Sequence, residues 1–241
     1  EVYDGVLAAC NNLVYLLGGY CRAEPFLADE AIFCTNPNVY FLDPASPQPV
    51  WASLPRFTFQ DASFLPLPGS IATAHEGGLY IYGGYGANGF EDRMSFLDLR
   101  RACISRVNAS NAELSPFADG VGSRLAAVSI PDKWVVARRI PMCATLHTFS
   151  LPRGSWSREE FAVEGEEDGE MCIQELAWYK GALFALNLAR AEDGRSRPEV
   201  RRLEGSVWRR AGAGPPAWLQ TVPGFETYYA GAVLGSSWVL W

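Results

Sequence analysis

The chain has 241 residues, 49% of them hydrophobic and 20% charged, with a formal net charge of −7. Twenty basic side chains against 27 acidic ones argue against bulk binding to nucleic-acid phosphate, and no run of about 18 apolar residues is present to cross a bilayer as a helix. The length suits one large domain or two small ones, and 23 Gly with 16 Pro suit many short strands and turns.

Glu1 to Asp4 is expected to form a strand that pairs with the last structural unit of the chain. Val6 to Cys10 then reads as a strand, Asn11-Asn12 as a turn and Val14 to Leu17 as a second strand, ahead of Gly18-Gly19. Gly19 to Asn38 is a long insertion that mixes Phe26, Leu27, Ile32 and Phe33 with Asp29 and Glu30. It either packs on its own unit or reaches a partner. Val39 to Leu42 is a third strand and the stretch around Trp51 a fourth. Arg56 to Gly69 is an apolar link stiffened by Pro66 and Pro68, expected to pack between units.

The same order recurs. Ile71 to His75, a Glu76-Gly77-Gly78 turn, Leu79 to Tyr82, Gly83-Gly84, Met94 to Leu99 and Cys103 to Val107 form a second copy. The third runs Arg124 to Ile130, Pro131-Asp132-Lys133, Trp134 to Ala137, Thr145 to Leu151 and the region of Trp156, with Arg138-Arg139 where the glycines would stand. The fourth runs Gln174 to Tyr179, Lys180-Gly181, Leu183 to Leu186, Pro198 to Leu203 and the region of Trp208. A fifth has only Tyr228 to Leu234, Gly235-Ser236-Ser237 and Trp238 to Trp241. The second strands begin at Val14, Leu79, Trp134, Leu183 and Trp238, which are 65, 55, 49 and 55 residues apart. A self-similar period near 50 marks a repeat architecture.

VYLLGG with VYFLDP and Trp51, and LYIYGG with SFLDL, resemble the kelch family: an apolar strand, Gly-Gly, a variable loop, an aromatic strand ending in Leu-Asp, then a Trp. The resemblance implies an all-β, kelch-like β-propeller of four-stranded blades. The blades would span about 5–54, 70–108, 122–160, 172–212 and 226–241, with the strand 1–4 completing the last. The end at Trp241, where another Gly-Gly is expected, and the lack of an initiator Met are expected to mean that the chain continues at both ends. The alternative is an unrelated all-β sandwich.

The resemblance also places an acidic residue, here Glu91-Asp92, before a third strand, where its usual role is to bond loop backbone. Glu159 to Glu170 holds seven carboxylates in twelve residues and reads as a solvated loop. The fourth unit is basic, with Arg190, Arg195, Arg197, Arg201, Arg202, Arg209 and Arg210. The two runs either pair with each other or form a split-charge surface that selects a partner. Local contact with RNA through these arginines is the one nucleic-acid role left open.

Chemistry is sparsely signalled. His75 and His147 lie in different predicted strands and read as packed or hydrogen-bonded residues, so no metal site or cofactor is expected. The His pair that copper oxidases of this fold need has no counterpart, and Gly-x-Ser-x-Gly and phosphate-loop motifs are absent. The glycine-rich Gly83 to Gly89 leads to a strand, not to the helix that phosphate binding needs. Cys10, Cys21, Cys34, Cys103, Cys143 and Cys172 contain no Cys-x-x-Cys pair and are expected to be reduced thiols in an intracellular protein. The Asn108-Ala109-Ser110 sequon points the other way and is given little weight.

The sequence thus leads to a non-catalytic protein–protein interaction scaffold, part of a larger complex, with no catalytic residue. Its partner contacts would come from Arg22, Phe26, Asp29, Arg93, Arg138, Arg139, Arg190 and Arg195. The alternative is a carbohydrate-active enzyme on the same scaffold, a sialic-acid mutarotase or a related lyase, using Glu91 with Arg93 or Arg138.

Overall fold

A computed structural model describes residues 2–3, 5–22, 33–35, 38–54, 58–59, 66–86, 89–121, 123–139, 142–165, 170–190, 196–211, 231–234 and 237–240. The chain divides into two compact units, residues 1–113 with 117–122 and residues 114–116 with 123–241. Among the described residues no helix is long and apolar enough to cross a membrane.

The first unit holds two meandering sheets. The first sheet takes Val6–Cys10, Leu13–Leu17, Val39–Leu42 and Ala52–Ser53 in sequence order. The second takes Ile71–His75, Gly78–Tyr82, Met94–Asp98 and Cys103–Arg106, and adds Thr58–Phe59 in parallel beside Cys103–Ile104. That fifth strand comes from the apolar link before the sheet, whose Pro66 and Pro68 are buried. The inner strands open on two-residue turns. Asn11 and Asn12 sit at φ 52° and 63°, and Glu76 and Gly77 at 47° and 81°, the left-handed pair a tight hairpin needs.

The double glycines exist for close approach. A Cβ on Gly18 would lie 2.7 Å from the Pro66 carbonyl oxygen, and one on Gly84 would lie 2.5 Å from both Leu67 Cβ and Ser70 Oγ. Both pairs therefore make room for the same segment, Pro66 to Ser70. Buried Leu17, Leu79, Ile81, Leu97 and Ile104 form the core between the two sheets.

Two expectations change here. Val2–Tyr3 pairs antiparallel with Tyr20–Arg22, so among the described residues the N-terminal strand finds its partner locally and not in the last hairpin. The first-sheet insertion is also not one loop. Tyr20–Arg22 and Phe33–Thr35 pair as a ladder, and only 23–32 and 36–37 fall outside the described residues.

The second unit repeats the four-strand order twice. The third sheet is Leu125–Ile130, Lys133–Arg138, Met142–Ser150 and Ser155–Val163. The fourth is Ile173–Tyr179, Ala182–Arg190, Ser196–Glu204 and Val207–Arg210. Pro131 followed by Asp132 at φ 59° turns the first hairpin, and Lys180 with Gly181, at 48° and 76°, turns the second. Gly231–Leu234 and Ser237–Leu240 make a further hairpin. Ala126, Val135, Ala137, Leu146, Ile173, Leu176, Ala185 and Trp208 are among the residues of its core.

The third and fourth sheets are not separate. The outer strand of the third runs on for nine residues, and its Ala162 and Val163 pair in parallel with Val207 and Trp208. This corrects the reading of Glu159 to Glu170 as one solvated loop. Glu159 and Glu160 are exposed, but they sit inside a strand whose Phe161 and Val163 pack inward. Alternation puts exposed Glu160 and Ala162 on the face opposite Phe161 and Val163.

Candidate functional site

Two places stand out, one in each unit. In the second, a polar network lies inside the fourth sheet. Asn187 and Glu199 are register partners on adjacent strands, and Asn187 Nδ2 donates to Glu199 Oε1 at 2.8 Å. Arg201 Nε donates to the same oxygen, and Arg210 donates through Nε and Nη2 to Glu199 Oε2 at 3.1 and 2.9 Å. Arg201 is 2% exposed and donates through Nη1 to the Glu164 carbonyl at 2.9 Å. Arg209 Nη1 reaches the Glu164 carboxylate at 3.1 Å, and Arg202 pairs with Glu204. The acidic run and the basic fourth unit thus meet through Glu164, tying the tail of one sheet to the other. Burial by itself would raise the pKa of Glu199, but the bonds from Asn187, Arg201 and Arg210 outweigh it and hold the carboxyl below its ordinary range.

Arg139 and Glu175 form a second pair in this unit, Nη2 to Oε2 at 3.1 Å. Arg139 follows the second strand of the third sheet, where the first two repeats carry glycine. Glu175 stands in the first strand of the fourth sheet, between buried Gln174 and Leu176. Burial pushes its carboxyl up to about 7, against the opposing pull of Arg139 and of the Leu176 N–H. Cys172 lies close by, with its sulfur accepting from Gln174 Nε2 at 3.1 Å and its thiol held above the ordinary range by burial.

In the first unit, the acidic pair before the third strand meets side chains. Asp92 Oδ1 accepts from the Tyr82 hydroxyl at 2.8 Å, and Glu91 lies 3.5 Å from Arg93 Nη1. His147 is buried and bonds the Leu114 carbonyl at 2.8 Å, which requires its Nδ1 to carry the proton. His75 ends its strand beside Tyr80, with ring centroids 6.1 Å apart.

Of the residues expected to touch a partner, only Arg93, Arg138 and Arg139 have described side chains. Arg93 is largely buried and paired with Glu91, and Arg139 is largely buried and paired with Glu175. Arg138 is half-buried at the end of its strand, opposite Leu125. Phe26, Asp29 and Arg195 lie outside the described residues, and for Arg22 and Arg190 only the backbone is described, at the last positions of Tyr20–Arg22 and Ala182–Arg190. A guanidinium already desolvated against its own carboxylate is a poor handle for a second molecule.

A different surface was hidden in the repeat. Leu42, Leu97 and Phe149 are equivalent, since they face Val14, Leu79 and Trp134 on the second strands. On the outer strands Ile104 faces Leu97, Trp156 faces Phe149 and Trp208 faces Leu203. Those three are 1%, 2% and 0% exposed. Phe41 faces Ala52, so one further step of that register puts Trp51 opposite Leu42. Yet Trp51 is 42% exposed, and Val50 before it is 73% exposed. The loop that carries them holds itself in shape. The Asp43 carboxylate accepts from the Ala45 N–H at 2.9 Å, the Asp43 carbonyl accepts from the Ser46 N–H at 3.3 Å, and Pro44, Pro47 and Pro49 restrict the backbone.

No protein-family model matches this chain, and no curated protein does. Among solved structures, that of YjhT superposes on it with a TM-score of 0.63 over 99% of this chain and 72% of its own, at 13% sequence identity. At that identity the likeness speaks for the fold alone, and with the strand order above it makes the chain an all-β, propeller-like protein of four-stranded blades.

Proposed function

We propose that this chain is a non-catalytic protein-interaction module of kelch type, a subunit of a larger assembly, whose contact centre is the loop Asp43 to Trp51. One observation carries the reading. A tryptophan that the repeat buries in two other blades is here left in solvent beside an exposed valine, on a loop fixed by prolines and its own hydrogen bonds. Tryptophan is the residue most enriched at interface hot spots, and a pre-shaped loop loses little entropy on binding. The test is affinity capture from the source cell extract with the wild-type chain and with Trp51→Ala. A stoichiometric protein is expected with the wild type and its loss with the variant, at an unchanged Tm. Equal capture by both, or none by either, contradicts the reading.

A carbohydrate-active enzyme remains as the second reading, because Glu175 favours it. A carboxyl held at about 7 and 3.1 Å from a guanidinium can give or take a proton at neutral pH. Thermal stabilisation by a sugar, lost in Glu175→Gln, separates it from the first.

A further inference from the structure

Cys21 and Cys34 are register partners. They stand directly opposite each other on the antiparallel strands Tyr20–Arg22 and Phe33–Thr35, flanked by the pairs Tyr20 with Thr35 and Arg22 with Phe33. Opposite residues of an antiparallel ladder have Cα atoms about 4.5–5.5 Å apart, and a disulfide needs about 4.4–6.8 Å. The ladder thus supplies the backbone separation that the bond requires. No other cysteine is so placed among the described residues. Cys10 faces Leu13, Cys103 faces Asp98 and Thr58, and Cys143 faces Glu170. Cys10, Cys103 and Cys172 are free thiols, and burial raises Cys10 and Cys172 above the ordinary range, which keeps them protonated and slow to exchange.

We propose that Cys21 and Cys34 are a redox modification site, joined by a reversible cross-strand disulfide. The chemistry needs a low-molecular-weight disulfide such as oxidised glutathione. One cysteine thiolate attacks a glutathione sulfur, forming a mixed disulfide and expelling a glutathione thiolate. The second thiolate attacks the protein sulfur of that mixed disulfide and expels the other glutathione. Two electrons end on glutathione, and the two protons lost by the cysteines are taken up by the departing thiolates. The product closes a covalent ring that contains residues 22–33. The pairing departs from the expectation that all six cysteines are reduced.

The test holds the full chain in glutathione buffers of rising oxidised fraction, blocks remaining thiols with N-ethylmaleimide, and maps the peptides without reduction. The expected result is a single cross-linked species joining the peptides of Cys21 and Cys34, formed before any other pairing and reversed by excess reduced glutathione. Two thiols disappear from the count. Cys34→Ser removes the species and leaves Cys21 as a mixed disulfide, and Cys103→Ser leaves the species intact. Alkylation of both Cys21 and Cys34 in the most oxidising buffer overturns the proposal. So does a cross-link of either to another cysteine, or a mixed disulfide that never resolves in the wild type.

Discussion

Glu199→Ala is expected to lower folding stability by about 3–5 kcal/mol, because it leaves the Arg201 guanidinium buried without its counter-charge. The magnitude follows from what the carboxylate does. It accepts from Asn187, Arg201 and Arg210 at once, and Asn187 in turn accepts from the Cys172 N–H at 2.7 Å. Removing the carboxylate takes a partner from the buried Asn187 and Arg201 donors, while Arg210 is exposed enough to turn to water, and removing Arg201 as well relieves the uncompensated charge. Glu199→Met with Arg201→Met is therefore expected to recover most of the loss, and urea denaturation of the single and double variants measures both. A single-variant cost below about 1 kcal/mol would show that water reaches the network and that it contributes little. The pH dependence has a fixed sign. The folded-state carboxyl is held below its ordinary value, so its contribution is complete above the unfolded value and is lost as pH falls through the folded one.

Glu175→Gln is expected to stabilise the protein at pH 8 and to leave it almost unchanged at pH 5. Here the folded-state carboxyl is raised, from 4.5 to about 7, so the folded chain binds the extra proton between those values. Stability then falls as pH rises through that window, the opposite of the Glu199 effect, by on the order of 3 kcal/mol. Glutamine mimics the protonated form and removes that slope. Chemical denaturation of both chains at pH 5 and pH 8 settles the sign. If the variant is instead less stable at pH 8, the ion pair with Arg139 outweighs the cost of burial.

Much of the fold is legible in the residues. Turns announce themselves locally, because Asn11-Asn12 tolerate left-handed backbone, Pro131 presets the first turn position ahead of Asp132, and Gly181 follows Lys180, and each turn lies between two apolar runs. What a sequence cannot show is which edge meets which. The parallel pairing of Ala162 and Val163 with Val207 and Trp208 joins segments with no shared pattern, and the carboxylates around Phe161 mask a strand. Trp51, Trp156 and Trp208 read alike along the chain, since exposure depends on what packs over each. Glu175 did carry a signal. It is a lone charge in the apolar strand Ile173–Tyr179, and such a residue is either paired or neutral. Arg201 and Arg209 do meet the acidic run, at Glu164, which is the pairing expected of the two runs, but Glu199 and Glu204 meet Arg201, Arg202, Arg209 and Arg210 within the fourth sheet itself, through strand register that run composition does not carry.

Hydrogen exchange of the captured complex against the free chain tests the interaction-module reading most directly. Slowed exchange centred on residues 43–53, with the Glu175 strand unchanged, is the result it predicts. Protection confined to the strands that carry Arg139 and Glu175, with 43–53 exchanging as in the free chain, would contradict it.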